Sequence, residues 1–372
     1  MKEEHAIDYP RRRVPRALLR LAGRVILPLA FRLRISGQEN FPQGGSLIVV
    51  GNHRAAMEAV LMAVYTPWQV EMLGAADIPH ERITQFMASA YGLIPVKRGS
   101  FDRTALIQSL DVLKQGGVLA IFPEGGVWNA GRMRAHTGVA WLSYRAKAPV
   151  LPIAFSGTMG ALGNAMRLKR PRLTMRVGEL IPAAHLPEGQ SRKAYLQAFA
   201  ERAVEAIEAL LPPDDIVHQP GPVDERFQLH VAVTTEDGTK HDYPDALSVR
   251  HAAALAELLH RPAILKIFTS NLNLPTRPLQ RLEQETAPAE IAQATQSILD
   301  YLQHENPYLL TYRFGPEKAE AMELGLEELL ALAHWASNAG LQLKVTPIRR
   351  YTPAEGEEEL VQVRQGSFKS WM

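Results

Sequence analysis

A histidine and a glutamate, five residues apart, follow a short apolar run near the beginning of the chain. Residues 47–50 are apolar and predict a buried strand, and a helix is predicted from Arg54 onward. His53 therefore stands at the carboxyl end of a strand, where open α/β sheets bind their ligands. A histidine in this position can act as a general base if a carboxylate such as Glu58 orients its ring. Such a pair also arises by coincidence, so its meaning depends on the rest of the chain.

Three further stretches end successive predicted strands in residues that suit an anionic ligand. The stretch "GLIPVKRGS" brings two cations and a glycine, and "LAIFPEGG" ends in glycines whose backbone N–H groups can form an anion nest. The stretch "APVLPIAFSG" frames a short strand with two prolines. Each could be a plain solvated turn by itself, but their order along the chain predicts one substrate site. Its residues are Lys97, Arg98, Gly99, Pro123, Glu124, Gly125 and Gly126.

The elements that must position these residues alternate between apolar strands and helices. Predicted strands occupy 46–50, 70–74, 93–97, 118–122 and 150–155, and the helices between them occupy 54–66, 80–90, 102–115 and 136–146. Strands that are apolar throughout and separated by helices imply a mostly parallel sheet covered on both faces. One more strand at 172–180 and a long helix at 191–211 complete this α/β domain.

Taken together, the four stretches resemble the glycerolipid acyltransferase family, typified by 1-acylglycerol-3-phosphate acyltransferase. "NHRAAME" matches the family pattern N-H-x-x-x-x-D, and "GLIPVKRG" matches the block that ends in R-G. "FPEGG" matches F-P-E-G-T, and "APVLPIAFSG" matches V-P-V-x-P-V. The resemblance covers about residues 35–185. It implies the glycerolipid acyltransferase fold, a mostly parallel sheet flanked by helices.

The resemblance also implies roles for individual residues. His53 would take the proton from a glycerol hydroxyl that attacks the thioester of an acyl donor, and Glu58 would orient the imidazole, with no covalent enzyme intermediate. The donor would be acyl-coenzyme A or acyl carrier protein, and no bound cofactor or metal is expected. The remaining motif residues would hold the acceptor: Asn52, Lys97, Arg98, Gly99, Pro123, Glu124, Gly125 and Gly126.

Some positions depart from the family pattern. Glu58 stands where most members have Asp, which keeps the charge and adds one methylene group. Gly126 replaces the usual Thr, and His136 falls where many relatives have lysine. These changes bear on the acceptor more than on the reaction. An acceptor other than lysophosphatidate, such as a glycolipid or an acylated amino acid, therefore stays open.

The N-terminal segment has a composition of its own, since residues 11–34 contain eight arginines and no acidic residue. At helical spacing, one stripe consists of Arg13, Arg16, Arg20 and Arg24, and another consists of Val14, Leu18, Leu21, Val25 and Leu29. The pattern predicts a basic amphipathic helix on an anionic membrane, with its arginines at the lipid phosphates. The alternative is a helix that packs its apolar stripe on the domain core and exposes the arginines.

Composition restricts the partners and the compartment. Residues 1–211 hold 27 Lys and Arg against 16 Asp and Glu, a net charge of +11, whereas residues 212–372 carry −9. The basic part would attract an anionic surface or substrate, and its arginines beside leucines favour lipid over nucleic acid. The chain has no cysteine, which fits a reducing compartment, and no apolar run of about 18 residues that would span a membrane. These features predict a peripheral protein on the cytoplasmic face of the cell membrane.

The chain is divided at the prolines 212 and 213. We predict a membrane-binding segment at 1–36, an acyltransferase domain at 37–211, a linker at 212–225 and a second domain at 226–372. The second domain is predicted to be α/β or α+β, and its role is open. Its predicted strands are 227–233, 264–268, 308–314 and 341–348, and its predicted helices are 247–260, 288–304 and 316–338.

The sequence therefore predicts an O-acyltransferase that acts on a lysophospholipid such as 1-acylglycerol-3-phosphate. The motifs of serine hydrolases, P-loop NTPases and zinc proteases are missing from the chain. Two alternatives remain. One is an enzyme of the same fold with another lipid acceptor, and the other is a non-catalytic lipid-binding or docking protein.

Overall fold

The computed structural model describes residues 7–75, 82–96, 102–123, 135–212, 223–282, 286–352 and 359–363. The chain divides into two compact units. One is built mainly from Met1–Ala76 and Ile83–Gln219, and the other mainly from Pro220–Lys369. Most of the predicted linker, residues 213–222, lies outside the described residues.

A seven-stranded sheet forms the centre of the first unit. Its strands are β1 (Arg32–Ser36), β2 (Leu47–Gly51), β3 (Val70–Ala75), β4 (Ile94–Val96), β5 (Val118–Ile121), β6 (Val150–Ser156) and β7 (Arg172–Val177). Their order across the sheet is β1-β7-β6-β2-β5-β3-β4, and every neighbouring pair is parallel except β6 with β7. The mostly parallel sheet confirms the predicted fold class. β1 is an additional strand, in a stretch that the sequence analysis assigned to the N-terminal segment.

Strand β2 lies in the middle of the sheet and is buried on both faces. Ile48 and Val50 belong to the core on one face, whereas Leu47 and Val49 belong to the core on the other. Because side chains alternate along a strand, an unbroken apolar run is what a doubly covered strand requires. This is why the stretch before His53 was recognisable as a strand.

Seven helices cover this sheet in the described part of the first unit: α1 (Arg13–Ala30), α2 (Met57–Tyr65), α3 (Arg82–Tyr91), α4 (Arg103–Lys114), α5 (Gly138–Ala146), α6 (Ala161–Met166) and α7 (Arg192–Glu208). Six of them lie where helices were predicted, and α6 is additional. The start of α4 shows why its boundary could be predicted. The Asp102 side chain accepts a hydrogen bond of 3.0 Å from the Ala105 N–H and thereby caps the helix.

The arginine stripe of α1 faces the protein, and this corrects the prediction. Arg16 is completely buried, so it cannot contact lipid phosphates. Its guanidinium binds both carboxylate oxygens of buried Glu71 on β3, with an Nη2–Oε2 distance of 2.7 Å. Its Nε also donates to the Tyr91 carbonyl at 2.9 Å, and burial raises the pKa of Tyr91 to about 12. The alternative orientation, with the apolar stripe inside, is wrong as well.

Two more arginines of this stripe bind backbone carbonyls at the end of α2. Arg20 donates to the Trp68 carbonyl at 2.9 Å and to the Thr66 carbonyl, and burial, together with the charge of Arg24, lowers its pKa. Arg24 donates to the Val64 carbonyl at 3.3 Å. The last carbonyls of a helix lack intrahelical donors and favour a nearby cation. Since Arg16 also binds the Tyr91 carbonyl at the end of α3, the stripe caps two helices. Arg13 and Arg24 are its exposed members.

The apolar stripe of α1 is consequently exposed. Its side chains keep between 57% and 70% of their surface accessible, and they are Val14, Leu18, Leu21, Val25, Ile26 and Leu29. A helix of a globular protein normally buries such a stripe, so its exposure on α1 is unusual.

The second unit combines a small antiparallel sheet with helices. Its strands are β8 (Val223–Thr234), β9 (Gln342–Thr352) and β10 (Leu360–Val363), in the order β10-β9-β8. Its helices are α8 (Ala252–Leu259), α9 (Pro262–Lys266), α10 (Pro288–Asp300), α11 (Leu309–Phe314) and α12 (Pro316–Asn338). This is the α+β form of the predicted second domain.

Two apolar stretches of the second unit that were predicted as strands are helical. Residues 264–268 lie in α9 and the π-helical turn that follows it, and residues 308–314 lie mostly in α11. Both are buried among helices, where an apolar run of five to seven residues has no periodicity that distinguishes it from a strand. The proline at the start of α9 was the available signal, because proline is favoured in the first helical turn.

Breaking the ion pair between Arg16 and Glu71 is expected to destabilise the first unit strongly. Arg16→Met removes the fully buried partner of the Glu71 carboxylate and leaves it the partly exposed Arg11, which costs up to about 3–5 kcal/mol. Arg13→Gln, on the exposed side, is expected to stay within about 0.5 kcal/mol of the wild type. Urea unfolding measures both. If Arg16→Met lowered the free energy of unfolding as little as Arg13→Gln, the stabilising role of the Arg16–Glu71 ion pair would be contradicted. The double variant Arg16→Met with Glu71→Leu is expected to recover part of the stability lost in Arg16→Met.

Glu323 on α12 gives a pH-dependent prediction for the second unit. Burial, and then the charges of Glu327 and Glu320, raise its pKa above the usual value. A raised folded-state pKa stabilises the fold at low pH, and this contribution is lost as the pH rises through that pKa. Glu323→Gln is therefore expected to stabilise the protein at pH 8, by a few tenths of a kcal/mol for each relieved repulsion. The melting temperatures of the wild type and Glu323→Gln should converge as the pH falls toward about 4.3, the pKa of a glutamate in the unfolded chain.

Glu317→Gln provides the matched control for this prediction. Glu317 lies in the first turn of the same helix, where the helix dipole favours a negative charge. Its replacement is expected to leave stability unchanged or to lower it slightly at pH 8. Equal stabilisation by both changes would indicate an effect of net charge rather than of the neighbourhood of Glu323.

Candidate active site

Three neighbouring parallel strands end at the same edge of the large sheet and bring the candidate residues together. β2 continues into Asn52 and His53, β5 into Phe122, and β6 into Gly157 and Thr158. Since β2 pairs with β5 on one side and with β6 on the other, His53 lies between the ends of its two neighbours. This is the edge at which open α/β sheets bind ligands.

The structure brings His53 and Glu58 together, as the spacing predicts. The distance from His53 Nδ1 to Glu58 Oε2 is 3.5 Å. The Glu58 side chain is completely buried, whereas 21% of the His53 side chain is exposed. Nδ1 is the ring nitrogen that faces the carboxylate. An imidazole arranged in this way can accept a proton at Nε2 while the carboxylate supports the cation that forms.

The carboxylate of Glu58 is held by the backbone at the start of α2. Its Oε2 accepts a hydrogen bond from the Ala55 N–H at 2.8 Å, and its Oε1 accepts one from the Arg54 N–H at 3.3 Å. Glu58 lies in the first turn of the helix, where free N–H groups and the helix dipole favour a negative charge. The same backbone turn therefore carries His53 and fixes the position of its carboxylate.

Phe122 is a site residue that the sequence analysis did not select. Its ring stacks on the imidazole of His53, with centroids 4.1 Å apart and an angle of 16° between the planes. The stack restricts rotation of the imidazole from one face, while Glu58 restrains it at Nδ1. The sequence could have indicated this residue, because Phe122 directly precedes Pro123 in the motif "FPEGG".

Asn52, predicted to bind substrate, uses its amide inside the fold. Its Nδ2 donates to the Phe155 carbonyl at 2.9 Å, and its Oδ1 accepts from the Phe155 N–H at 2.8 Å. The side chain is buried and extends the pairing of β2 with β6 beyond Gly51. We therefore assign Asn52 a positioning role, in which it fixes the backbone directly before His53.

The other predicted substrate-binding residues are only partly described. Pro123 follows Phe122, and its carbonyl accepts a hydrogen bond of 3.3 Å from the His136 N–H. The remaining six lie outside the described residues: Lys97, Arg98, Gly99, Glu124, Gly125 and Gly126. β4 ends at Val96, and its parallel pairing with β3 directs this end to the same edge of the sheet as His53.

A second residue missed in the sequence analysis is Thr158, whose hydroxyl donates to Glu58 Oε1. It directly follows the stretch "APVLPIAFSG", so its place at the end of β6 was the signal.

Within the described residues, no three His, Asp or Glu side chains are grouped as metal ligands. No helix in the same part of the chain is both long enough and apolar enough to cross a membrane.

Comparison with known proteins agrees with this geometry. Residues 32–156 match the family described as Acyltransferase. The 1-acyl-sn-glycerol-3-phosphate acyltransferase of Bacillus subtilis (strain 168) is 23% identical over 189 residues, which cover 50% of this chain and 92% of that protein. The enzyme of the same name from Borreliella burgdorferi is 24% identical over 145 residues, which cover 38% of this chain and 58% of that protein.

A solved structure is also similar. The 1-acyl-sn-glycerophosphate acyltransferase PlsC from Thermotoga maritima is 21% identical, with a TM-score of 0.39, over 54% of this chain and 81% of that chain. The family match and the two sequence relatives confirm the resemblance that the four motifs indicated. They support an enzyme that transfers acyl groups.

Proposed function

Because residues 32–156 match the acyltransferase family, we propose that the protein moves a fatty acyl group from a thioester donor to a lipid hydroxyl. The donor is acyl-coenzyme A or acyl carrier protein. The acceptor is a lysophospholipid such as 1-acylglycerol-3-phosphate, as the names of both relatives indicate for those enzymes. The observation that carries the proposal is the pairing of His53 with buried Glu58 at the ligand-binding edge of the sheet.

In the proposed reaction, His53 acts as the general base. Nε2 takes the proton from the acceptor hydroxyl while the oxygen attacks the thioester carbonyl. The tetrahedral intermediate then collapses, the C–S bond breaks, and the thiolate takes a proton from the imidazolium. The products are the new ester and the free thiol of the carrier. Glu58 orients the ring and stabilises the imidazolium, and Phe122 restricts its rotation.

The acceptor's phosphate requires cations and N–H donors beside His53. By resemblance to the family, we propose that the pair Lys97 and Arg98 and the turn from Glu124 to Gly126 supply them. β4 and β5, which precede these segments, both end at the edge that carries His53. Gly126 replaces the usual Thr, and for this reason glycolipids and acylated amino acids belong in the acceptor panel.

We also propose that the first unit attaches to a membrane through an outer apolar surface. We define this surface as the exposed stripe of α1 together with Leu162, Met166 and Leu168, which are 61–89% exposed. Arg170 donates to the Pro28 carbonyl at 2.8 Å and so holds the segment after α6 against the end of α1. Each large apolar side chain moved out of water contributes about 1.5–3 kcal/mol. Insertion of these side chains into a lipid monolayer is the most direct way to cover them.

The cations beside this surface differ from those first predicted. Arg167 and Lys169 are exposed on either side of Leu168, and Arg13 is exposed at the start of α1. They can reach lipid phosphates, whereas the guanidinium of Arg16 is enclosed by Glu71 and backbone carbonyls. Attachment is therefore proposed to be mainly apolar, with a smaller electrostatic part that salt screens.

Replacing His53 is expected to abolish acyl transfer. His53→Ala should lower kcat/KM by about 10²–10⁴-fold, the usual contribution of a general base. His185→Ala, which removes an exposed histidine of the same unit, should remain active. The assay supplies labelled acyl-coenzyme A or acyl carrier protein and a panel of lysolipids, with products identified by mass spectrometry. Activity that survives in His53→Ala would overturn the mechanism, and vesicle binding without any turnover would favour a lipid-binding protein.

Membrane attachment is expected to depend on the apolar stripe. Replacing Leu18, Leu21 and Val25 together by Gln should lower the vesicle-bound fraction more than tenfold in flotation, with stability within about 0.5 kcal/mol of the wild type because these side chains are exposed. Leu324→Gln, an exposed leucine of α12, is the control. Raised salt should release less protein than the triple change. Unaltered flotation of the triple variant would contradict the apolar surface.

A further inference from the structure

Glu58 receives hydrogen bonds from the turn directly before its helix and from Thr158, 100 residues further along the chain. The N–H groups of Arg54 and Ala55 come from the turn before α2, and the hydroxyl of Thr158 comes from the end of β6. Thr158 is only 4% exposed and Glu58 is completely buried, so water does not compete strongly for this contact. The two carboxylate oxygens are also used differently. Oε1 accepts from Thr158, whereas Oε2 faces His53.

The backbone around Thr158 is fixed independently of Glu58. β6 ends at Ser156, and Gly157 adopts a φ of 74°, a left-handed conformation that favours glycine. A Cβ at Gly157 would lie 2.2 Å from the Arg172 carbonyl oxygen, so a larger residue does not fit there. The Thr158 carbonyl accepts from the Ala161 N–H at 3.2 Å, which anchors the start of α6. The residue that carries the hydroxyl is therefore held between the end of β6 and the start of α6.

We propose that Thr158 is a positioning residue of the acyl-transfer site, and that it acts by fixing the carboxylate of Glu58 against His53. This inference rests on the proposed function. The inference also explains why a glutamate suits position 58, where most members of the family have Asp. The longer side chain allows one oxygen to reach Thr158 on β6 while the other faces the imidazole and the Ala55 N–H. The hydroxyl of Thr158 bonds the carboxylate, so its proposed effect on the reaction passes through Glu58.

The first experiment removes the hydroxyl without changing the side-chain volume. Thr158→Val is expected to lower kcat about 10–100-fold, since displacement of a catalytic group by about 1 Å has an effect of this size. KM for the lysolipid should stay within about twofold, because the substrate contacts are unchanged. Thr158→Ser keeps the donor and is expected to restore kcat to within a few-fold of the wild type.

Thr174→Val is the matched control. It deletes a hydroxyl that bonds Ser156 at the end of the same strand, without contact to Glu58. We expect it to retain wild-type kcat. An equal loss in Thr174→Val would assign the effect to the sheet, and full activity in Thr158→Val would show that the hydroxyl is not needed. Either result would overturn the inference.

A double-variant cycle separates positioning from general stabilisation. If Thr158 acts only through the carboxylate, adding Thr158→Val to Glu58→Gln should lower kcat no further than Glu58→Gln alone. Independent, multiplicative losses would overturn the inference while leaving the role of His53 intact. Absence of acyl transfer by the wild-type enzyme would overturn the proposed function and this inference together.

Discussion

The burial of one carboxylate, that of Glu58, constrains the whole site. A carboxylate removed from water is stable in a protein only if donors and positive charge replace its hydration. Here the donors are two N–H groups of the turn before α2 and the hydroxyl of Thr158, and the imidazole of His53 faces the carboxylate at 3.5 Å. They come from β2, α2 and β6, so these three elements must be in register before the pair can form. The bond between Asn52 and Phe155 contributes to this register, because it joins the ends of β2 and β6.

A second buried carboxylate, Glu71, organises the other side of the same unit. It attracts Arg16, and with Arg16 the side of α1 that carries Arg20 and Arg24 turns toward the body of the protein. The free carbonyls at the ends of α2 and α3 then obtain their donors from α1. The apolar stripe is left outside as a direct consequence, because the two stripes lie on different sides of one helix. The orientation of α1 therefore explains both the hydrogen bonds of its arginines inside the protein and the exposure of its apolar side chains.

The sequence was sufficient for the strands that carry motifs, because unbroken apolar runs are typical of strands buried on both faces. It was also sufficient for the pairing of His53 with Glu58, because the two are close in the chain. It could not predict which stripe of α1 is buried. Periodicity separates Arg16 from Leu18, but the partner that decides the orientation is Glu71, 55 residues later. Thr158 was missed for the same reason. The short apolar runs in α9 and α11 were wrongly predicted as strands, because runs of this length are too short for their periodicity to distinguish a helix from a strand.

The orientation of α1 means that this helix is a structural component and not a detachable membrane anchor. Its arginines complete the hydrogen bonding of α2, the helix whose first turn holds Glu58. A chain shortened by its first thirty residues would lose those donors and would expose Glu71 and the core beneath α1. Trimming the N-terminus would therefore weaken the helix that holds Glu58 without altering the side chains of His53 and Glu58 themselves.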